Sequence, residues 1–395
     1  MKTMIIGSIL ISAAAVAAPW TKGPEANRPA LFKTFGDIVN TPEGLALDKE
    51  GNLYLSAING VDPSYSGHIW KRCASTGKWS VFAVTRTDTK SGKSFPQGIV
   101  FGDDGNLYYA ENQYFADRDY ASTVRRIVVK DGEPQRCETV VEHAMLPNGL
   151  RWRDGVLWFS ESFAHHGGKF GGGIYRIPAK DLRADKPARL LDKDQMEQDP
   201  HCIAWVPTEL RSRNGIDPLD DKVHIYTAGP DGIDFDADGN LYTGSFGDGR
   251  FWRIRNLGGG RYAAPELLDD STIACCDGIC YDAKRNRIIL TAAAQNALYA
   301  WNIAEGKMEL VWANGDTDGA DGLFDQPSEV LFLPDGRLVV VNIDAPSPGM
   351  VNSGADKVHT LSVIRLPRDV RSFGAKGDSR TKDAAAVQSV GMSCN

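Results

Sequence analysis

The sequence predicts an all-β protein, a six-bladed β-propeller, and three observations support this. One phrase, which first runs from Glu43 to Tyr54, recurs at intervals of roughly fifty residues, as in radial repeat folds. Its later copies open at Gln97, Asn148, Asp231, Asp277 and Ser328. Segments suited to further strands follow each copy. Because the last copy lacks a fourth strand and residues 30–35 form a spare one, we expect the N-terminal strand to complete the last blade.

The predicted strands follow the same order within each copy. An alternating strand leads into a tight turn that contains glycine, such as Gly51, and a second strand follows at residues 53–56. A third strand is predicted at segments such as residues 68–72 and a fourth at segments such as residues 79–83. In the third copy, the spacing places the fourth strand at residues 188–191.

The two ends of the chain and one long interval depart from the repeat. Residues 1–17 combine a basic start, a short apolar run and a small-residue end, which predicts a signal peptide and a secreted or periplasmic protein. The propeller is expected to span residues 18–367. Within it, residues 193–226 exceed one blade and are predicted to be an insertion that would act as a lid. Residues 368–395 lack strand periodicity and are predicted to form a loose or disordered tail.

Composition and charge limit the classes of partner. A formal charge of −7 over 395 residues argues against nucleic acid or an anionic membrane surface. The apolar run of the predicted signal peptide is too short to span a bilayer, and we expect no membrane insertion. The adjacent Cys275 and Cys276 are predicted to be small apolar strand residues rather than a strained disulfide. The sequence leaves the oligomeric state open.

The first residue of each phrase can point into the channel that all blades of a propeller share. These residues are Glu43, Gln97, Asn148, Asp231, Asp277 and Ser328. Carboxylate and amide oxygens without cysteine are the ligands of a hard cation, and Ca²⁺ accepts about six to eight of them. Three carboxylates buried together without a cation would become protonated or cost several kcal/mol. We therefore predict a site for Ca²⁺, or another divalent cation, at Glu43, Asn148, Asp231 and Asp277.

Polar side chains in the connecting loops are expected to surround the mouth of this channel. They are Asn59, Glu111, Asn112, Glu161, His165, His166, Asp248, Asn296, Asn342 and Asp344. His201, in the long interval, is also expected to reach the mouth. The predicted substrate contacts are Gln97, Asn112, Glu161, His165 and His201.

The order of four phrases around the ring resembles the family of gluconolactonases and senescence marker protein 30, and more distantly the paraoxonases and diisopropylfluorophosphatases. The phrases are Pro42-Glu43-Gly44, Pro147-Asn148-Gly149-Leu150, Pro230-Asp231-Gly232-Ile233 and Asp277-Gly278-Ile279-Cys280-Tyr281-Asp282. The resemblance covers residues 30–366. It implies a six-bladed propeller that holds a divalent cation, usually Ca²⁺, and hydrolyses lactones or phosphotriesters.

By this resemblance, the cation ligands would be Glu43, Asn148, Asp231 and Asp277. Asp277 would also serve as base or nucleophile, and Gln97 stands where diisopropylfluorophosphatases have a glutamine. Two positions depart from the family pattern. Asp231 replaces the usual Asn and places three carboxylates around one dication. Leu146 replaces an Arg that holds substrate hydroxyls in the sugar-lactone enzymes, which favours a less polar lactone or ester.

The predicted activity is hydrolysis of a small-molecule lactone or ester, in which the cation polarises the carbonyl and a carboxylate activates water. Asp277 is the favoured catalytic base, with Asp231 or a histidine at the mouth as alternatives. Two other functions remain open, because fold alone does not fix function. One is a non-catalytic propeller that binds a small ligand, and the other is a metal-free condensing enzyme like the strictosidine synthases.

Overall fold

A computed structural model describes residues 23–85, 90–114, 116–166, 169–212, 216–217, 219 and 224–367. These residues form a six-bladed β-propeller, which confirms the predicted fold class. Short 3-10 turns are the only helical elements among them, at Glu25–Asn27, Ala179–Asp181, Met196–Gln198, His224–Thr227 and Ala293–Gln295. In this part of the chain, no helix has the length and apolar character needed to cross a membrane. The predicted signal peptide and tail lie outside the described residues.

The strands follow the chain from an isolated first strand into consecutive four-stranded units. The first strand is β1 (Ala30–Phe35). Blade 1 contains β2 (Pro42–Leu47), β3 (Leu53–Ala57), β4 (His68–Arg72) and β5 (Trp79–Val84). Blade 2 contains β6 (Pro96–Phe101), β7 (Leu107–Glu111), β8 (Ser122–Lys130) and β9 (Glu133–Ala144). Blade 3 begins with β10 (Pro147–Arg153), β11 (Val156–His166) and β12 (Lys169–Pro178).

Two strands follow β12 before the fourth blade begins, namely β13 (Ala188–Arg189) and β14 (Cys202–Thr208). Blade 4 contains β15 (Pro230–Phe235), β16 (Leu241–Ser245), β17 (Phe251–Ile254) and, after a small hairpin of β18 (Asn256–Gly258) and β19 (Arg261–Tyr262), β20 (Glu266–Asp269). Blade 5 contains β21 (Cys276–Asp282), β22 (Arg287–Ala292), β23 (Ala297–Asn302) and β24 (Lys307–Ala313). Blade 6 contains β25 (Pro327–Phe332), β26 (Leu338–Asn342) and β27 (His359–Ile364).

The N-terminal strand closes the ring, as the sequence predicted. Strand β1 pairs antiparallel with β27, so that Phe35 lies opposite His359 and Ala30 opposite Val363. Phe35 then packs edge-on against two tryptophans of blade 1, Trp70 and Trp79. The same strand therefore completes the hydrogen bonding of blade 6 and contributes to the apolar contact between blades 6 and 1.

The third blade differs from the prediction. Its fourth strand is β14, which pairs with β12, whereas β13 adds a parallel fifth strand to β9 of blade 2. The fourth strand expected at residues 188–191 is therefore wrong, and residues 193–226 are not one insertion, because they contain β14. Alternate residues of β14, Ala204 and Val206 among them, are buried. Pro207 obscures this alternation in the sequence, and it is tolerated because β14 is the outermost strand of its blade.

A glycine follows the first residue of the phrase in blades 1 to 5. These residues are Gly44, Gly98, Gly149, Gly232 and Gly278. At each, a Cβ atom would lie 2.2 to 2.6 Å from a carbonyl oxygen, and that oxygen belongs to the first phrase residue of the next blade. The glycines thus let neighbouring inner strands pack backbone against backbone around the channel. Blade 6 carries Glu329 at this position.

We expect Gly232→Ala to lower the free energy of unfolding by about 1–3 kcal/mol, because overpacking forces the backbone to shift. The new Cβ would lie 2.5 Å from the Asp277 carbonyl oxygen and 2.7 Å from the Ile279 nitrogen. Gly36→Ala is the matched control, since nothing lies within 4 Å of its Cβ position. Urea denaturation at a fixed Ca²⁺ concentration measures both variants. Equal losses in the two variants would contradict the close-approach explanation.

Candidate active site

A cavity of about 890 Å³ lies over the inner strands of the propeller. Its polar wall is formed by Glu43, Gln97, Asn148, Asp231 and Asp277, which we call the channel ring. Each is the second residue of an inner strand in blades 1 to 5. The structure therefore brings together all four predicted cation ligands and one predicted substrate contact.

The backbone of the inner strands presents these side chains to the channel. In every blade, the register between the inner strand and the second strand shifts immediately after the first residue of the inner strand. In blades 1 and 3, a serine hydroxyl on the second strand bridges the gap. Ser56 Oγ accepts from the Gly44 nitrogen at 2.7 Å and donates to the Gln97 carbonyl at 2.6 Å. Ser160 Oγ likewise accepts from the Gly149 nitrogen at 2.9 Å and donates to the carbonyl of Asp231 at 2.5 Å.

These serines were not among the residues singled out from the sequence. Each lies on a buried second strand, where a small hydroxyl side chain is an ordinary residue and does not indicate a special role. Their hydrogen bonds join one blade to the next, and Ser160 holds the backbone of Asp231. They are positioning residues for the channel ring.

The three carboxyl groups of the channel ring are buried and repel one another. The Asp231 carboxyl lies within hydrogen-bonding reach of the Asp277 and Asn148 side chains. Burial, followed by repulsion from Glu329, raises the pKa of Asp231 to about 8. Burial, followed by the charges of Asp231 and Glu43, raises the pKa of Asp277 well above its usual value. Burial, followed by the charge of Asp231, also raises the pKa of Glu43 well above its usual value. The group cannot ionise fully at neutral pH without a compensating positive charge.

The chemistry of the channel ring fits a hard divalent cation. All five side chains offer oxygen atoms, the donors that Ca²⁺ prefers. Two of these atoms, Glu43 Oε2 and Gln97 Oε1, are buried and have no hydrogen-bond partner among the described residues. The three carboxylates do not all bring an oxygen within 4.8 Å of one another. A cation held here would therefore also draw on the amide oxygen of Asn148.

An ion-paired layer lies behind the channel ring. Arg151 Nη2 lies 3.7 Å from Glu329 Oε1, and Arg151 Nε lies 3.6 Å from Asp234 Oδ1. Arg151 Nη2 also donates to the Ile279 carbonyl at 2.6 Å. Arg151 thus connects blade 3 to blades 4, 5 and 6 and offsets the buried charge of Glu329, which acts on Asp231.

Arg151 was missed because an arginine on a strand usually points to solvent. A signal does exist in the repeat. The same position is apolar in blades 1, 2 and 6, where it is Ala46, Val100 and Leu331, but charged in the adjacent blades 3 and 4. Opposite charges at one repeat position, Arg151 and Asp234, predict a buried ion pair between the two neighbouring blades.

The remaining walls of the cavity are largely apolar. They include Leu146, Ile225, Phe246, Ile343 and Met350. Leu146, which departs from the family pattern, faces the cavity two residues before Asn148. Residues 345–355, between β26 and β27, supply much of one wall, and we call them the wall segment.

Three of the predicted substrate contacts, Asn112, Glu161 and His201, do not line this cavity. The Glu161 carboxylate accepts from the backbone nitrogens of Met145 and Leu146, and burial raises its pKa to about 7. Asn112 Oδ1 accepts from the Tyr114 nitrogen at 2.9 Å. His201 lies next to the outer strand β14, and its backbone nitrogen donates to Asp199 Oδ1 at 2.8 Å.

Glu161 therefore positions Leu146 rather than a substrate. Other polar residues expected at the mouth also form local hydrogen bonds and do not line the cavity; they are Asn59, Glu111, Asp248, Asn296, Asn342 and Asp344. The side chains of His165 and His166 lie outside the described residues. No histidine lines the cavity within the described part of the chain.

Comparison with solved structures finds related folds at low sequence identity. A gluconolactonase from Xanthomonas campestris matches with a TM-score of 0.52 and 14% identity, over 88% of this chain and 99% of that one. A luciferin-regenerating enzyme matches with a TM-score of 0.56 and 13% identity, over 86% and 95%. The PQQ-bound aldose sugar dehydrogenase of Streptomyces coelicolor matches with a TM-score of 0.51 and 16% identity, over 86% and 99%.

These matches confirm the predicted resemblance to gluconolactonases at the level of the fold. Identities this low do not transfer an activity, and the three matched proteins are enzymes of different kinds. No protein-family model matches the chain, and no curated protein matches it.

Proposed function

We propose that this protein is a divalent-cation-dependent hydrolase of a lactone or related ester of low polarity. One observation carries the proposal: the buried carboxyl groups of Glu43, Asp231 and Asp277 face one cavity together with the amide of Asn148. These four residues would hold the cation, and Ca²⁺ is the cation that such oxygens favour. When bound, it would polarise the substrate carbonyl and stabilise the negative charge that develops there.

Asp277 is the proposed general base. Its buried carboxyl lies beside Asp231 and opens onto the cavity, where it can take a proton from an attacking water. Asp231 lies beside Asn148 and Asp277 in the channel ring, so it is better placed to hold the arrangement together. It remains the second candidate for the base.

The walls of the cavity support a substrate with few hydroxyl groups. Leu146 and Phe246 offer apolar surface near the channel ring, and Met350 offers an adaptable apolar side chain from the wall segment. Gln97 has an unpartnered Oε1 within the described structure and can orient a polar group of the substrate. The predicted signal peptide adds the proposal that the hydrolysis takes place outside the cytoplasm.

The alternative functions receive less support. A propeller that only bound an apolar ligand would gain nothing from three buried carboxylates, which are costly in such a place. The same applies to a metal-free condensing enzyme. Both would require the carboxyl groups of Glu43 and Asp277 to be dispensable.

The test is a hydrolysis panel of lactones, aryl esters and phosphotriesters, assayed with Ca²⁺ and with excess chelator. We expect Ca²⁺-dependent turnover that is fastest on a lactone or ester without sugar hydroxyls. Glu43→Gln keeps the shape of the side chain and removes one charge, so it should lose most of this turnover. Turnover that is insensitive to chelator would overturn the proposal. The proposal would also be overturned if the protein bound no Ca²⁺ and hydrolysed no substrate of the panel.

Chelation is expected to lower the melting temperature, because a ligand that binds only the folded state stabilises it. At a free Ca²⁺ concentration one hundred times Kd, the gain is about 2.7 kcal/mol. Differential scanning fluorimetry with Ca²⁺ and with EDTA measures the shift. The shift should be smaller in Glu43→Gln, which lacks one proposed ligand. An unchanged melting temperature in EDTA would argue against a bound cation.

A further inference from the structure

A second group of carboxylates lies outside the channel ring, at the base of the wall segment. Asp325 precedes β25, Asp344 follows β26 and Asp356 precedes β27. Each offers one oxygen within 4.8 Å of the other two, and no other trio of this kind occurs in the described residues. Asp325 and Asp344 are at most 1% exposed, whereas Asp356 is partly open to solvent.

Two buried atoms at this group lack partners. Asp325 Oδ2 and His359 Nδ1 have no hydrogen-bond partner anywhere in the described structure. His359 Nδ1 lies 3.6 Å from Asp344 Oδ2. Both oxygens of Asp344 accept from the single N–H of Asp356, at 3.0 and 2.9 Å. Asp325 Oδ1 accepts from Asn352 Nδ2, but no donor in the described part of the chain reaches Asp325 Oδ2, so part of the buried negative charge stays uncompensated.

Blade 1 contains a neutral version of the same arrangement. The pairing of β2 with β3 matches the pairing of β25 with β26 residue for residue. By this correspondence, Asn40 and Asn59 of blade 1 occupy the positions of Asp325 and Asp344. Asn59 and Asp344 even share a left-handed backbone, with φ of 54° and 51°.

In blade 1 both side-chain amides are satisfied by hydrogen bonds to the backbone. Asn59 Oδ1 accepts from the Asn40 nitrogen at 3.0 Å, and Asn59 Nδ2 donates to the Ser66 carbonyl at 2.8 Å. The fold thus needs only amides at these two positions. Blade 6 has carboxylates at both, and Asp356 adds a third, which suits a cation rather than the backbone.

We propose that Asp325, Asp344 and Asp356 bind a second divalent cation, Ca²⁺, separate from the channel ring. Carboxylate oxygens are hard donors, and Ca²⁺ tolerates an irregular set of them completed by water. The partly exposed Asp356 gives the ion access from solvent. The exposed Asp316 and Asp318 add negative charge around the entrance, since both act on Asp325.

The position of this site implies a structural role. Asp344 and Asp356 flank the wall segment at its two ends, whereas Asp325 belongs to the body of blade 6. A cation held by all three would fasten both ends of the wall segment to the blade. Because the wall segment lines the cavity, the ion would shape the cavity without contacting a substrate.

Calcium stoichiometry of the full chain tests the proposal. By isothermal titration with CaCl₂ after removal of metal, we expect the wild type to bind one ion more than Asp325→Asn/Asp344→Asn. That variant copies the neutral pair of blade 1 and should therefore fold. Glu50→Gln/Glu305→Gln removes the same number of charges at exposed positions and should bind as the wild type does. Equal stoichiometry in the wild type and Asp325→Asn/Asp344→Asn would overturn the proposal.

Hydrogen exchange separates this site from the channel ring. In Glu43→Gln/Asp277→Asn, which removes two channel-ring ligands, we expect Ca²⁺ still to slow exchange of residues 344–356 by about tenfold. The same slowing should be absent from Asp325→Asn/Asp344→Asn. If that variant does not fold, exchange in the channel-ring variant decides alone. Exchange there that does not respond to Ca²⁺ would overturn the second site, and the hydrolase proposal would stand or fall separately.

Discussion

Replacing Asp277 by Asn is expected to lower kcat/KM for the best substrate of the panel by about 10²–10⁴-fold, the usual contribution of a positioned general base. The amide keeps an oxygen that can bind a cation, but it cannot take a proton from water. The Asp277 side chain is buried at the channel ring, so no solvent base can easily replace it. Steady-state kinetics with saturating Ca²⁺ and a parallel measurement of bound Ca²⁺ separate the two roles.

Asp231→Asn is the matched control for this experiment. It makes the same chemical change at a neighbouring carboxyl and introduces the residue that the resembled family usually carries there. We expect this variant to change Ca²⁺ affinity more than kcat, because the Asp231 carboxyl lies beside the other proposed ligands Asn148 and Asp277. Near-normal hydrolysis by Asp277→Asn with its Ca²⁺ retained would assign the base elsewhere, and a larger kcat loss in Asp231→Asn would assign it to Asp231.

The second large effect is expected for Arg151→Met, which should lower the free energy of unfolding by about 3–5 kcal/mol. Removing one partner of a buried ion pair leaves the other charge uncompensated. Here two carboxylates would lose their partner, Glu329 at 3.7 Å and Asp234 at 3.6 Å. The carbonyl of Ile279 would also lose its donor. Urea denaturation at fixed Ca²⁺ concentration measures the loss.

The double variant Arg151→Met/Glu329→Gln tests the electrostatic cause. It removes the positive charge and the negative charge together, so we expect it to recover part of the stability lost in Arg151→Met. A double variant as unstable as Arg151→Met would show that the loss comes from packing and the hydrogen bond to Ile279. An Arg151→Met variant with wild-type stability would mean that Arg151 does not compensate the buried carboxylates.

The repeat predicted the fold and the channel ring because both depend on symmetry. Alternating buried residues and glycine turns define the inner strands in every copy, and symmetry then directs equivalent residues to one channel. Glu43, Asn148, Asp231 and Asp277 meet for this reason. Their convergence can be predicted without knowing which side chains each of them contacts.

The loops and the outer strands were harder to predict because local pattern does not reveal their partners. Glu161 looked like a residue of the mouth, but its carboxylate binds the backbone nitrogens of Met145 and Leu146. Strand β14 was missed because an outer strand is only half buried and Pro207 interrupts it. In both cases the deciding contact joins residues that are distant in sequence or belong to a neighbouring segment.

The pairing of β1 with β27 makes folding of this protein a problem of ring closure. Ala30 and Val363 can meet only when nearly the whole described chain is in place, and pairing at such sequence separation is slow. The entropic cost of closing a loop grows only slowly with loop length, so the long separation has little effect on stability. Its main effect is on the order in which the blades assemble. Blade 6 is therefore expected to assemble last during folding and to open first when the protein is unfolded by mechanical force. The carboxylates of Asp325 and Asp344 lie on that blade. An ion bound there would therefore stabilise the closed form of the ring.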